Sequence, residues 1–327
     1  MIPVVRVVRS PAEGPYHGRM RVVSLLPSAT EVLCAIGAED LLVGRSHECD
    51  HPASVADRPI LTAARIASGT SAEIDREVKE SLGSGDATSL YRLDTEALRA
   101  LEPDVILTQD LCEVCSIDLE TVRGVAAGMP RPPKIVSLDP DTVWDVLDDL
   151  LEVGRAVGRE VEAEAAMVAA REAYWTAVDF VNPYVPGPEV LFLEWMDPPF
   201  VGGHWTPGLI EHAGGRHSLN EAGAKSREVS IDEIVESRPD RVIVCPCGYD
   251  RDAIRRELPT LVEASWWRSL PAVASGDPNA VMLVDGNQMF NRPGPRLVDA
   301  FRWLVAWIND RPEVHPADFP ATPLPPA

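Results

Sequence analysis

The chain has 327 residues and a formal net charge of −21. One hydrophobic core rarely serves that length, so two domains are expected. A strongly acidic surface repels phosphate backbones, which argues against nucleic acid as a partner, and no apolar run reaches the ~20 residues that span a bilayer.

Residues 1–19 hold arginines but no continuous apolar stretch, and they read as a disordered extension, not a secretory leader. Arg21 to Leu26 reads as a strand ended by Pro27. Ser28 and Glu31 then have the spacing of a capping box, opening an apolar helix that stops near Gly37. A short strand (Leu41 to Gly44), a polar loop and a helix around Ile74 to Leu82 follow. Asp94 is placed to cap another helix, which ends at Glu102-Pro103, and strands are expected over 104–108 and 134–138.

From 141 the rhythm changes. Thr142 to Val157 and Arg159 to Val181 read as two helices separated by Gly158. At 1.5 Å per residue the second reaches roughly 35 Å, enough to cross between domains. The alternation then resumes: a strand over 189–194, a helix opened by Thr206-Pro207 and ending near Gly214-Gly215, a second capping box at Ser230 and Glu233, strands over 241–244 and 280–284, and a helix from Pro295 to Ile308. The proline-rich stretch from Pro312 reads as unstructured. Strands alternating with helices imply a mainly parallel sheet.

Arg238-Pro239-Asp240 before its strand repeats Glu102-Pro103-Asp104 before its own. This suggests two similar α/β halves, although one large sheet could contain both units. The expected division is an N-terminal lobe over 20–140, linking helices over 141–182, a C-terminal lobe over 183–310 and a tail over 311–327.

Five of the six cysteines gather in three places: Cys49, the Cys112-x-x-Cys115 pair, and Cys245 with Cys247. Each place follows a short apolar run. Parallel strands would bring those runs' carboxyl ends to one sheet edge, where open α/β folds hold ligands. The Cys112/Cys115 spacing suits zinc or an iron–sulfur cluster, with Cys49 and one of Cys245 or Cys247 completing four ligands. Cys247 is preferred because Cys245 ends the strand. The alternative is a set of metal-free buried thiols, and Cys34 within its apolar helix reads as core. No phosphate-cradling glycine motif occurs, and Ser24 and Ser28 lack a nucleophile elbow.

Further stretches carry a family likeness: Val23 to Glu31, Val43 to Asp50, Leu107 to Cys115, Glu194 to Phe200, Gly203-His204-Trp205 and Pro293 to Arg296. With them the chain resembles the periplasmic-binding-protein type that carries vitamin B12, haem and ferric siderophores. Within that type it most resembles the branch called cobalamin-binding proteins. The resemblance implies an α/β fold of two Rossmann-like lobes with mainly parallel sheets, a rigid helical backbone segment, a small-molecule ligand between the lobes and little hinge motion. It also implies an ABC permease as partner.

Candidate ligand-binding residues follow. His47 could ligate the ligand's metal, with Glu48 orienting it. Glu194, Trp195, Asp197 and Phe200 belong to a loop stiffened by Pro198 and Pro199. His204 and Trp205 come next, and Trp195 with Trp205 offers flat apolar surface for a corrin or porphyrin. Tyr249, Phe290, Asn291 and Arg292 would rim the same cleft, whereas Trp266-Trp267 reads as packing. Two functions compete: a binding protein for cobalamin or a related corrinoid, and a cytosolic metalloprotein or enzyme with zinc or an iron–sulfur cluster on Cys49, Cys112, Cys115 and Cys247. Lacking a visible leader or lipid-attachment cysteine, the chain is expected to be cytoplasmic, or periplasmic if its true start differs.

Overall fold

The computed structural model describes residues 19–65, 69–84, 91–110 and 117–324. The N-terminal half runs β1 (Val22–Ser24), α1 (Pro27–Ala35), β2 (Leu42–Arg45), β3 (Thr62–Ala64), α2 (Ser71–Ser84), β4 (Tyr91–Leu93), α3 (Thr95–Ala100), β5 (Val105–Thr108), α4 (Leu119–Ala127) and β6 (Lys134–Ser137). Helices α5 (Val143–Val157) and α6 (Glu160–Val178) follow. The C-terminal half begins with β7 (Val190–Trp195), β8 (Phe200–Val201), α7 (Trp205–His212), β9 (Arg227–Glu228), α8 (Ile231–Ser237) and β10 (Arg241–Val244). It ends with α9 (Arg251–Val262), α10 (Ser265–Ser269), α11 (Pro271–Ala274), β11 (Val281–Val284), α12 (Leu297–Ile308) and β12 (Ala321–Pro323).

Two main sheets result. The first, in order β2-β1-β5-β6, is entirely parallel. The second has order β12-β11-β10-β7-β8-β9, with β11, β10 and β7 parallel and the outer strands antiparallel. β3 and β4 form a separate antiparallel ribbon whose connection carries α2. This agrees with the expected α/β class. The repeat seen in the sequence is a structural repeat. Glu102 and Arg238 both take left-handed backbone conformations, at φ 40° and 49°. The aspartates two residues on then bond alike: Asp104 accepts from Arg21 N, and Asp240 from Glu189 N, each at 2.9 Å. In each half a carboxylate thus ties the start of one strand to the start of its neighbour.

Side-chain capping explains half of the helix starts. The Ser230–Glu233 box forms, Asp94 accepts from Ala97 N, and Thr142 forms a box with Asp145. The expected box at Ser28 does not. Pro27 opens α1, its cap residue Leu26 offers no side-chain acceptor, and Glu31 turns instead to Arg296. The stretch after Pro312 is also not unstructured: β12 pairs antiparallel with β11, giving the apolar sheet edge a partner.

The largest hydrophobic cluster crosses both halves. Ten of the twelve residues of α12 are buried, and they pack among residues of α1, α5, α6, β7 and α7. Phe301 stacks on Tyr174 of α6 with ring centroids 3.8 Å apart, and Trp303 lies between Phe319 and Trp307. α5 and α6 meet at Gly154, where a Cβ would collide with the Ala163 side chain. Below this spine, Arg296 grips the buried carboxylate of Glu31 with two bonds of 2.8 and 2.6 Å.

Glu31→Ala leaves Arg296 without its buried partner, and urea unfolding should show a loss of about 3 kcal/mol or more. Gly154→Val overpacks the α5–α6 crossing, and the same measurement should show a loss of about 1–3 kcal/mol.

Candidate functional site

The carboxyl ends of the parallel strands in both sheets lead into the segments that bridge the two halves. Arg292, 5% exposed, follows β11. It ion-pairs with Asp50 of the β2–β3 loop, lies 4.0 Å from Glu48, and donates to Asn287 at 2.9 Å. A second bridge comes from the β3–α2–β4 excursion. Ser71, at the first turn of α2, is fully buried against the C-terminal half. Its N–H points between both oxygens of Glu257 on α9, 3.0 Å from each, and its hydroxyl donates to the same carboxylate. Trp195 Nε1 donates to Ser71 O at 3.2 Å, and the Tyr249 hydroxyl donates to Gly69 O at 2.9 Å. Ile74 packs on the core of the C-terminal half. A carboxylate from one half therefore serves the orphan amide at the helix start of the other, where the helix dipole also favours negative charge.

Trp195 and Tyr249 meet edge to face, their centroids 5.3 Å apart, at the ends of β7 and β10. Burial and the nearby Glu257 push the Tyr249 phenol's pKa up. Across the bridge, His47 lies half-buried after β2. Its Nδ1 is 2.6 Å from Thr62 Oγ1, and its ring centroid is 5.4 Å from that of Tyr91. Its Nε2 lies 3.2 Å from Glu48 yet has no well-directed hydrogen bond. His47 foremost, and Arg292 more weakly, hold the Glu48 carboxyl below its ordinary pKa.

The remaining candidates scatter between wall and core. Glu194 accepts from Ser226 Oγ at 2.9 Å, Asp197 is exposed in the loop after β7, and Phe200 is half-buried on β8. His204, at φ 50°, lies 3.3 Å from Asp141 and stacks beside Trp205. Trp205 belongs to the main core, and its indole N–H donates to Phe290 O at 2.8 Å. Phe290 is 1% exposed and packs on Phe192 and Trp303. Asn291 ties the ends of β10 and β11 by donating to Cys245 O and Gly286 O. These buried placements follow from polar tips finding backbone partners inside the protein.

The cysteines divide differently. Cys49 is fully buried and accepts from Thr30 Oγ1 at 3.0 Å, and burial pushes its thiol up to about 11. Cys34, on α1 itself, is half-buried, and burial pushes its thiol up to about 12. Cys245 is completely buried, whereas Cys247 is half-buried and donates its N–H to Glu194 O. Cys112 and Cys115 lie outside the described residues. Among the described residues, which do not include Cys112 and Cys115, no group of three histidine, cysteine or acidic side chains is arranged to hold a metal ion.

Ser71, Glu257 and Tyr91 were not anticipated. The Thr70–Glu73 capping box, which the structure forms, was the one local signal for where α2 begins. Nothing local marks Glu257 as its distant partner.

No protein-family model and no curated protein matches the chain in sequence. Solved structures do match in fold. The periplasmic vitamin B12 binding protein BtuF of Vibrio cholerae superposes with a TM-score of 0.63 at 18% identity, covering 90% of this chain and 98% of that one. A periplasmic heme binding protein from Pseudomonas aeruginosa gives 0.66 at 20% identity, covering 94% and 95%. An ABC transporter substrate-binding protein from Listeria monocytogenes EGD-e gives 0.66 at 17% identity, covering 90% and 100%. The first two of these neighbours are periplasmic, which tells against the cytoplasmic setting expected from the sequence. Two sheets joined by a helical spine, with bridging segments at their carboxyl edges, thus give this chain the fold of the periplasmic binding proteins of the vitamin B12 and haem type.

Proposed function

We propose that the protein is the substrate-binding component of an ABC importer and that it carries a corrinoid or related tetrapyrrole between its two halves. The observation that carries this reading is the pairing of aromatic groups at the bridge: Trp195 with Tyr249 on one half, His47 with Tyr91 on the other. A flat macrocycle needs such faces, with a few polar groups at its rim. His47 Nε2, now 3.2 Å from Glu48, would ligate the ligand's metal on leaving that contact. Glu48, Asp50 and Arg292 supply the polar rim.

The two surface depressions described are lined only by residues 65–155, one of them by Tyr91, and neither includes a residue of the C-terminal half. The spine of α6 and α12 also opposes separation of the halves. Ligand entry therefore proceeds by release of α2 from Glu257, Trp195 and Tyr249, and not by a wide hinge. Those contacts are few and polar, which keeps the local opening free energy below that of the core.

Titration with cyanocobalamin and with hemin, followed by absorbance and calorimetry, tests the proposal. One of them should bind saturably at one site, and no binding of either at high micromolar concentration would overturn it. Trp195→Ala should weaken that binding about tenfold or more, a change of about 1.4 kcal/mol. Glu257→Gln should leave the fold intact, speed hydrogen exchange across residues 71–80 and raise the ligand's association rate. Unchanged exchange there would rule out the proposed route of entry.

A further inference from the structure

A depression of about 400 Å3 opens along α5 where that helix passes the edge strand β6. Five carboxylates line it: Asp139 after β6, and Asp145, Asp148, Asp149 and Glu152 on α5. The helical ones recur on successive turns, and so lie about 5.4 Å apart along the axis. Among the described residues lining it, Arg155 is the one cation.

Most of these groups already have work. Asp145 closes the α5 capping box, Asp148 pairs with Arg171 of α6 at 2.8 Å, and Asp139 accepts from Asp110 N. Asp149 does not. It is 7% exposed, its Oδ2 has no hydrogen-bond partner, and the neighbouring buried Oγ of Ser137 has none either. A buried carboxyl left unpaired is costly, and such orphans call for an explanation.

A divalent metal would need several oxygens converging on one point, which the described residues do not provide. A cation with its charges strung along a chain needs no convergence. We propose that this groove binds a linear polyamine, with one ammonium group held by Asp149 and Ser137 and the next by the carboxylates one turn along α5. The methylene spacers would lie against Pro140, which also lines the groove. This site is separate from the bridge between the sheets and does not depend on the importer reading.

The electrostatics agree. Burial first, and then Glu152, Asp139, Asp145 and Asp148, push Asp149 up to about 8. The cations near this cluster are Arg155 on α5 itself and Arg171 on α6, the latter already taken by Asp148. At neutral pH the Asp149 carboxyl is thus largely protonated. An ammonium group favours the ionised form, so binding expels a proton and strengthens as pH rises toward 8. Without the amine the sign is opposite for stability: the contribution of protonated Asp149 is lost as pH rises from the ordinary carboxylate range through about 8.

Calorimetry with spermidine at pH 7 and low salt, in two buffers of different ionisation enthalpy, tests this. We expect saturable binding with release of most of one proton. Asp149→Asn should weaken binding about tenfold or more and abolish the proton release, while its melting temperature at pH 8 rises. Glu152→Gln should weaken binding severalfold, and the exposed Glu164→Gln on α6 should leave it unchanged. Should Asp149→Asn not fold, proton release by the wild type and the Glu152→Gln effect decide the matter. Three outcomes overturn the proposal: no saturable heat at millimolar spermidine, equal affinity in wild type and Asp149→Asn, or displacement by magnesium at equal charge concentration, which would mark diffuse attraction to an acidic surface.

Discussion

α12 is apolar on almost every side, and a helix of that kind must be buried all round. No surface of a single α/β layer offers this. Only a seam does, with the N-terminal sheet's helices on one side and the C-terminal sheet on the other. Phe301 against Tyr174, and Trp303 among Phe290, Trp307 and Phe319, fill that seam with large rings. The buried Arg296–Glu31 pair then sets how the halves are oriented, because each charge is tolerable only when facing the other. The relative placement of the two sheets follows from this packing.

What else bridges the two halves is polar and slight by comparison. One guanidinium, one tryptophan, one tyrosine and one carboxylate hold the bridging segments. A packed seam resists opening, whereas hydrogen bonds at a helix start can be exchanged for water at small net cost. The protein thus joins a stiff spine to an easily released excursion. Under the proposed role, α2 is the element to be released, and Trp195 and Tyr249, which hold its start, are the aromatic groups assigned to the ligand.

Some of this was legible in the sequence because it is local. The Ser230–Glu233 box, the Asp94 cap and the paired Pro-Asp-strand units depend on neighbours within a few residues, and each formed as read. Ser28 and Glu31 had the same spacing but a different outcome. Pro27 already opened the helix, and the distant Arg296 offered Glu31 a stronger partner than a cap would be. Trp205 and Phe290 resembled cleft residues because an aromatic side chain looks alike in a cleft and in a core. Cys49 followed a strand as expected, yet its thiol faces Thr30 of α1, which no spacing reveals. Ser71 and Glu257 stand 186 residues apart, and their meeting left no trace in either local pattern.

From the sequence alone came the alternation of strands and helices, two similar halves, a final helix ending at Ile308 and an acidic character that argues against nucleic acid. These follow from periodicity, capping chemistry and charge, which act over a turn or two of chain. Tertiary structure alone decided which half each bridging side chain reaches, which aromatic groups stay at the sheet edges, and that Asp149 is buried without a partner. Those outcomes depend on how the seam packs, and packing is a property of surfaces brought together from opposite ends of the chain.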